Sequence, residues 1–397
     1  MQLRFARRIS KTKKSFVREI FKFLGDPEMI SFSGGFPNPN SFPVDGIKEA
    51  AIKVLEADGA NALQYSSSEG YLPLRQYISK RYQKRFGLEV DPSEILICNG
   101  SQQAFDLIAK VFLEVNDTVV IEYPAYLGAL QSFGFYEPSY KEVKLTSSGL
   151  DLKQLEEALK DNPKLMYVVP NFQNPTGLSY SAENRLAIAE LLKKTDTILI
   201  EDDPYGELRF KGVDNKPIKM LLDEQTIMLG SFSKIVSPGM RMGWLVAKKD
   251  IMDKLVMAKQ ASDLHSNYFT QRILTQYLLD NDIDEHIKKI KVMYLSQREA
   301  MLSSIKKYFD PSIITTEPEG GMFLWATLPE GISSMSLFQE AVNEKIVYVP
   351  GDPFYVNGEG INTLRLNYTN STKEEIDIGI QRLAKVFNKA IKKTNSR

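Results

Sequence analysis

The sequence predicts an α/β protein: a mainly parallel sheet covered by helices on both faces, followed by a smaller α+β unit. Three observations predict it. Short, nearly unbroken apolar runs of strand length recur between Glu94 and Ala247. Most of them are separated by stretches with helical apolar spacing. After about Asn281 that alternation gives way to one long amphipathic stretch and several short, hairpin-like runs.

Each element has its own signature. "EILICNG" (Glu94 to Gly100) is a short apolar strand, and Ser101 to Leu113 follows with helical spacing. "TVVIEY", "LMYVVP", "TILIEDD" and "TIMLGSF" are further strands, Met242 to Ala247 is another, and Ser181 to Lys194 is an amphipathic helix. In the second unit a helix is expected over Ile283 to Tyr308. "IITTEPEGGMFLWATL" then reads as a hairpin turning at Gly320 and Gly321, and "IVYVPG" and "NTLRLNY" as strands. Near the N-terminus, the spacing of Phe16, Ile20 and Phe23 predicts a short amphipathic helix. No internal repeat, low-complexity tract or Pro/Ser-rich linker interrupts the chain, so its domains are expected to pack tightly.

A chain of 397 residues is long for one core, and two domains sharing an interface are the default. Fifty basic and fifty acidic side chains cancel, which removes any global attraction to nucleic acid or a membrane. The single cysteine, Cys98, excludes an internal disulfide and suits a reducing cytoplasm. Two histidines, His265 and His286, are too few for a histidine-rich metal site. The basic N-terminal stretch lacks the apolar core of a secretory signal, a mitochondrial transit peptide being the alternative, and no apolar run reaches membrane-spanning length. A soluble, cytoplasmic protein is expected.

In an open parallel sheet, ligands collect at the carboxyl ends of the strands, so the polar residues there are candidates for chemistry. "ICNGSQQAFDL" leaves its strand at Asn99-Gly100 and opens a helix whose first N–H groups, at Ser101 and Gln102, form either an anion cup or an ordinary helix start. "VVPNFQNPTGL" turns at Asn174-Pro175, presenting an amide or merely reversing the chain. "ILIEDDPYGEL" ends in Glu201, Asp202 and Asp203, which could be helix caps or magnesium ligands, with Tyr205 close behind. "GSFSKIVSPGMRMGW" (Gly230 to Trp244) sets Ser231, Ser233, Lys234 and Arg241 between two apolar strands. A lysine there is desolvated, and burial beside cations lowers an amine's pKa toward the nucleophilic form.

Taken in that chain order, the pattern resembles the fold-type I, pyridoxal-phosphate-dependent aminotransferases of class I/II, and within them the subgroup containing the 2-aminoadipate and kynurenine aminotransferases. The likeness runs from "MISFSGGFPNPNSFP" through "LQYSSSEGYLPLR", "NGSQQAFDL", "YPAYLGAL", "NFQNPTG", "EDDPYGELRF" and "SFSKIVSPGMRMGW" to "NTLRLNY". It implies a large domain on a mainly parallel seven-stranded sheet (residues 45–281) and a small α+β domain built from residues 282–397 with the arm and helix of residues 1–44. It implies that Lys234 bonds the aldehyde of pyridoxal 5'-phosphate and acts as general base and then acid in a ping-pong transfer from an amino acid to a 2-oxo acid such as 2-oxoglutarate. Arg241, Ser231, Ser233, Ser101 and Gln102 are implied as phosphate ligands, and Asp202 as partner of the ring nitrogen. Asn174 and Tyr205 would bond the phenolic oxygen, and Tyr126 would stack on the ring. Arg365 would clamp the substrate carboxylate with help from backbone around Gly35 and from Asn174. Tyr65 resembles the tyrosine that reaches the phosphate of a neighbouring subunit, which implies a homodimer with shared sites. Arg18 matches an arginine that reads acidic side chains, whereas Phe16, Phe36, Tyr126 and Tyr355 suit an aromatic donor. A lyase or decarboxylase using the same cofactor is the nearest competing reading. A ligand-sensing transcriptional regulator is the more distant one, since only about thirty residues precede the first matched motif, too few for a DNA-binding domain.

Overall fold

The computed structural model describes residues 3–11, 20, 22 and 26–395. Strand β1 (Ile30–Ser31) is followed by eight strands that form one sheet: β2 (Ile95–Cys98), β3 (Thr118–Tyr123), β4 (Ser139–Thr146), β5 (Gly149–Leu150), β6 (Leu165–Val168), β7 (Ile198–Asp202), β8 (Thr226–Ser231) and β9 (Gly243–Val246). Their order across the sheet is β2-β9-β8-β7-β6-β3-β4-β5. The central pairs β4·β3, β3·β6, β6·β7 and β7·β8 are parallel, and β9 runs antiparallel between β8 and β2. The sheet therefore has one strand more than the seven expected. The addition, β5, is two residues long and pairs Thr146 with Gly149 across a tight reversal. A strand that short carries no periodicity to read.

Why the strands read as unbroken apolar runs is visible in their two faces. Alternate residues of a strand point to opposite sides. Val120, Met166, Val168 and Leu199 pack against Leu155, Leu159, Ile188 and Leu192 of the helices Leu152–Leu159 and Ala182–Leu192. Their neighbours Val119, Ile121, Leu165 and Ile200 belong to the other core, with Phe105 and Ile108 of the helix Ser101–Phe112. Both faces of these central strands are dry, so neither alternates with polar residues; the outer strand β4 is half exposed and does alternate.

Several helices begin on capped N-termini. Asp151, Ser181 and Asp282 each accept a bond from a first-turn N–H, the last of them opening the helix Ile283–Tyr308 at the expected residue. The helix Ser101–Phe112 is different. Its N-cap is Gly100, which has no side chain to offer, so the Ser101 and Gln102 N–H groups have no cap, while Gln103 N–H donates to Gly100 O at 3.2 Å.

The second unit contains β10 (Ile314–Thr315), β11 (Phe323–Thr327), β12 (Ile346–Val347), β13 (Val349–Pro350) and β14 (Thr363–Asn367). Four of these form an antiparallel sheet in the order β10-β11-β14-β13, and β10·β11 is the expected hairpin. β12 instead pairs in parallel with β1, Ile30 opposite Ile346. The segment after β1 stays on this unit: Asn367 N–H donates to Phe32 O at 2.8 Å and Asn38 Nδ2 to Thr369 O at 3.0 Å. Those bonds lay Gly35 over the carboxyl edge of the large sheet. Among the described residues, no helix is long and apolar enough to cross a membrane.

Candidate active site

The carboxyl ends of β2, β6, β7 and β8 surround a cavity of about 380 Å³, closed from the other unit by Gly35, Phe354 and Arg365. Twelve of the expected residues line it: Gly35, Ser101, Gln102, Tyr126, Asn174, Asp202, Tyr205, Ser231, Ser233, Lys234, Arg241 and Arg365. Phe36 also lines it, whereas Tyr355 does not; its ring packs edge-on against Tyr123, with centroids 4.7 Å apart. Tyr65 lies away from the cavity, 77% exposed, its ring edge-on to His265. Arg18 and Phe16 lie outside the described residues.

Lys234 follows the end of β8, half-buried, and its Nζ donates to Gly35 O at 2.8 Å. Burial pushes the amine down to about 8, and the Arg365 and Arg241 guanidinium groups push the same way. The acceptor is a carbonyl and no carboxylate is among the causes acting on the amine, so no anion opposes that shift. Arg241 occupies the left-handed backbone region (φ 54) and donates from Nη2 to Asn99 O at 3.1 Å. A Cβ placed on Gly100 would lie 2.7 Å from that same Nη2, and one on Gly243 would lie 2.9 Å from Gly100 Cα. Only glycine lets this guanidinium approach the open end of the Ser101 helix so closely. The Ser231 hydroxyl accepts from Ser233 N–H at 3.1 Å, which fixes the turn between them. Gln102 spends its side-chain amide on Gly128 O (3.0 Å) and Ser132 Oγ (2.6 Å), leaving its main-chain N–H as the group offered to the cavity.

The three acids at the end of β7 part company. Glu201 accepts from the N–H groups of Ile218 and Lys219, and Asp203 accepts from Gly206 N–H and Asn171 Nδ2. Asp202 alone faces the cavity. Its Oδ2 accepts from the Tyr167 hydroxyl at 3.0 Å, and its Oδ1 is buried with no partner. Burial pushes this carboxyl up to about 7, Tyr167 pulling it down and Asp203 adding a smaller push upward. A buried acceptor left open is an expensive arrangement, and it marks a place shaped for a donor.

Asn174 joins the two halves of the cavity. Its Oδ1 accepts from Arg365 Nη1 at 2.8 Å and its Nδ2 points at the Tyr205 hydroxyl, 3.5 Å away. Arg365 projects from β14, donates from Nη2 to Ser33 O at 2.6 Å and stacks on Phe323, while its buried Nε has no partner. Burial lowers this guanidinium to about 10, the nearby Tyr205 and Tyr126 hydroxyls opposing the shift. Burial likewise raises the Tyr205 hydroxyl, keeping it a neutral donor.

Two residues that serve the site were not singled out in the sequence. Tyr167 sits in the apolar run "LMYVVP" as any core tyrosine does. Glu122 is the acid inside "TVVIEY"; fully buried, it accepts from Val169 N–H, Gln173 Nε2 and the Tyr180 hydroxyl, and so braces the loop that carries Asn174. A lone carboxylate in an otherwise apolar strand is a signal that could have found it.

Comparisons with known proteins agree with this geometry. The family model described as aminotransferase class I and II matches residues 27–383. The chain is 41% identical to aromatic-amino-acid aminotransferase 1 of Thermococcus litoralis, over 96% of this chain and 93% of that one. It is 38% identical to the 2-aminoadipate transaminase of Thermus thermophilus, over 96% of each. Among solved structures, it is similar to LysN, the alpha-aminoadipate aminotransferase of Thermus thermophilus, complexed with N-(5'-phosphopyridoxyl)-L-leucine. That match has a TM-score of 0.91 and 37% identity, and covers 98% of both chains.

Proposed function

Because the chain belongs to the class I and II aminotransferases, we propose that the cavity at Lys234 is its active site, divided into a cofactor half and a substrate half. Pyridoxal phosphate is the cofactor of this enzyme, and amino-group transfer to a 2-oxo acid is its reaction; the lyase and regulator readings are not favoured. One observation carries the assignment of residues. A single cavity holds an amine hydrogen-bonded only to a carbonyl and a buried carboxylate oxygen with no donor.

The residues fit that cofactor. Gly100 lets the Arg241 guanidinium come close to the open helix end, so both can face one anion, and Ser231 and Ser233 add hydroxyl donors. Asp202 Oδ1 is the open acceptor that a protonated ring nitrogen requires, with Tyr167 holding the other oxygen. Asn174 and Tyr205 present donors for the phenolic oxygen, and Tyr126 supplies an aromatic wall. When bound, pyridoxal phosphate carries the amino group and draws electrons from the substrate's α-carbon. Lys234 Nζ, its pKa lowered to about 8 by burial and by two guanidinium groups, would take the α-proton and deliver it to the cofactor carbon. Arg365 holds the substrate carboxylate in a forked pair, and Phe323 and Asn174 fix the plane of the fork. Closure by Gly35 and Phe354 from the second unit excludes water. The division into residues 1–44 with 282–397 and residues 45–281 is proposed as the pair of bodies that closes.

Tyr65 is proposed to reach the phosphate of a second copy, making the enzyme a homodimer; its exposure on one chain supports this reading. Cytoplasmic amino-acid metabolism is the proposed setting. The donor is proposed to carry a bulky side chain, aromatic or 2-aminoadipate-like. Phe36, Leu127 and Phe354 supply an apolar wall, and the three cations lining the cavity already have other roles. Acidic donors would then depend on Arg18. The test is a panel of aromatic and acidic amino donors assayed with 2-oxoglutarate, in wild type and Arg18→Ala. A loss confined to acidic donors supports the assignment, and an equal loss across the panel refutes it.

A further inference from the structure

Behind the anion cup lies another buried lysine. Lys259, on the helix Lys249–Asp263, has no exposed side-chain surface. Its Nζ donates to both Asp263 carboxylate oxygens at 2.7 Å, to Gln103 Oε1 at 2.8 Å and to Ser266 Oγ at 2.9 Å. Asp263 Oδ2 is shared further, accepting from Asn99 Nδ2 and Gln103 Nε2, each at 2.7 Å. Gln103 Oε1 also accepts from the Asn99 N–H at 2.9 Å. Asn99 is thus held through its N–H and its amide, and its carbonyl receives Arg241 Nη2.

Asn99 immediately precedes the glycine of the cup, and its placement decides where the cup sits. Gly100, at φ 74 and without a Cβ, has no rigidity of its own, and it is the N-cap of the helix whose open N–H groups face the cavity. Arg241 is held to the cup by the Asn99 carbonyl; its other bond, to Pro238 O, is longer at 3.4 Å. A buried ion pair contributes little net stability for its desolvation, yet its satisfied geometry tolerates little movement. Neither Lys259 nor Asp263 lines the cavity, so both act through Asn99 and Gln103.

We infer that the Lys259–Asp263 pair is the positioning device of the phosphate cup, holding Asn99 so that Arg241 and the first-turn N–H groups of the Ser101 helix converge on one phosphate. The inference rests on the reading of Ser101, Gln102 and Arg241 as phosphate ligands. Apo-protein is titrated with pyridoxal phosphate and, separately, with pyridoxal, which has the same ring and aldehyde but no phosphate. The absorbance of the lysine-bound form reports binding of each. Lys259→Met and Asp263→Asn should each weaken pyridoxal phosphate about tenfold, the worth of one charge-assisted hydrogen bond, while pyridoxal stays within about twofold. Should Lys259→Met fail to fold, Asp263→Asn, nearly unchanged in size, carries the same comparison. An equal loss for both ligands means a general structural role and overturns the inference, as does no loss for either. A wild type that binds pyridoxal as tightly as pyridoxal phosphate refutes the phosphate-cup reading itself, and the inference with it.

Discussion

The two ends of strand β8 each sit beside a lysine withdrawn from solvent, Lys219 fully and Lys234 in part, and the lysines are opposites. Lys219, packed where the strand begins, pairs with Asp223 Oδ1 at 2.7 Å and donates to Asp223 O and Thr226 O, both at 3.1 Å. Lys234, where the strand ends, has one carbonyl acceptor and faces two guanidinium groups. Lys219 is the more deeply buried of the two, so burial alone does not make an amine reactive. The difference is the anionic partner, supplied at one end and withheld at the other. The same contrast separates Glu201, both of whose oxygens accept main-chain N–H groups, from its neighbour Asp202, which keeps one oxygen open. In both pairs the group outside the cavity is finished; the one that faces it is left incomplete.

The largest expected effect tests that contrast directly. Lys234→Ala should abolish the visible absorbance of the cofactor-loaded protein and lower turnover by roughly four orders of magnitude. Lys219→Met should leave both intact and instead lower unfolding free energy by about 2 kcal/mol, measured by denaturant titration, since it strands buried acceptors. Equal losses of turnover in the two variants would erase the distinction between the strand ends. Asp202→Asn comes next, because an amide cannot hold a charged ring nitrogen. We expect turnover to fall roughly 10²–10³-fold, with Glu201→Gln affecting melting temperature more than rate.

A smaller effect sharpens the lysine comparison through pH. An amine held near 8, against an ordinary 10.5, is mostly charged at pH 6 and mostly neutral by pH 9. The rate at which apo-protein takes up cofactor should therefore rise with pH and reach half its plateau near pH 8. A midpoint close to 10.5 would mean that the two guanidinium groups and the burial do not act on Lys234. The smallest effect is expected at Gly100→Ala. Its Cβ must displace the Arg241 guanidinium and its backbone sits at positive φ, so stability should fall by about 1–2 kcal/mol and cofactor affinity with it. Measured affinity equal to wild type would mean that the close approach of Arg241 does not matter.

Much of this was legible in the sequence because the signals were local. Unbroken apolar runs located the central strands, and polar residues at their carboxyl ends located the lining of the cavity from Ser101 to Arg241. Arg365 was legible through the resemblance that "NTLRLNY" helps to carry. What escaped depends on partners distant in sequence. Lys259 and Gln103 occupy helix positions that read as solvated faces, and only the packing of two helices together buries the lysine against the amide. Glu122 meets its donors from residues 169 to 180 once β6 lies beside β3. β5 is too brief to leave a pattern, and Tyr167 becomes distinctive only when Asp202 is placed opposite it.

The pairing of β1 with β12 has a consequence for how the protein is made. Ile30 emerges from the ribosome early, yet its partner Ile346 is added only after more than three-quarters of the polypeptide. Lys234, Asp202 and Arg241 are all synthesised before that, and Arg365 after it. A nascent chain paused near Asn281 would thus already contain every residue assigned to the vitamin's ring and phosphate. It would lack the guanidinium proposed to hold the substrate carboxylate, so on that reading the order of translation separates acquiring the coenzyme from acquiring the substrate.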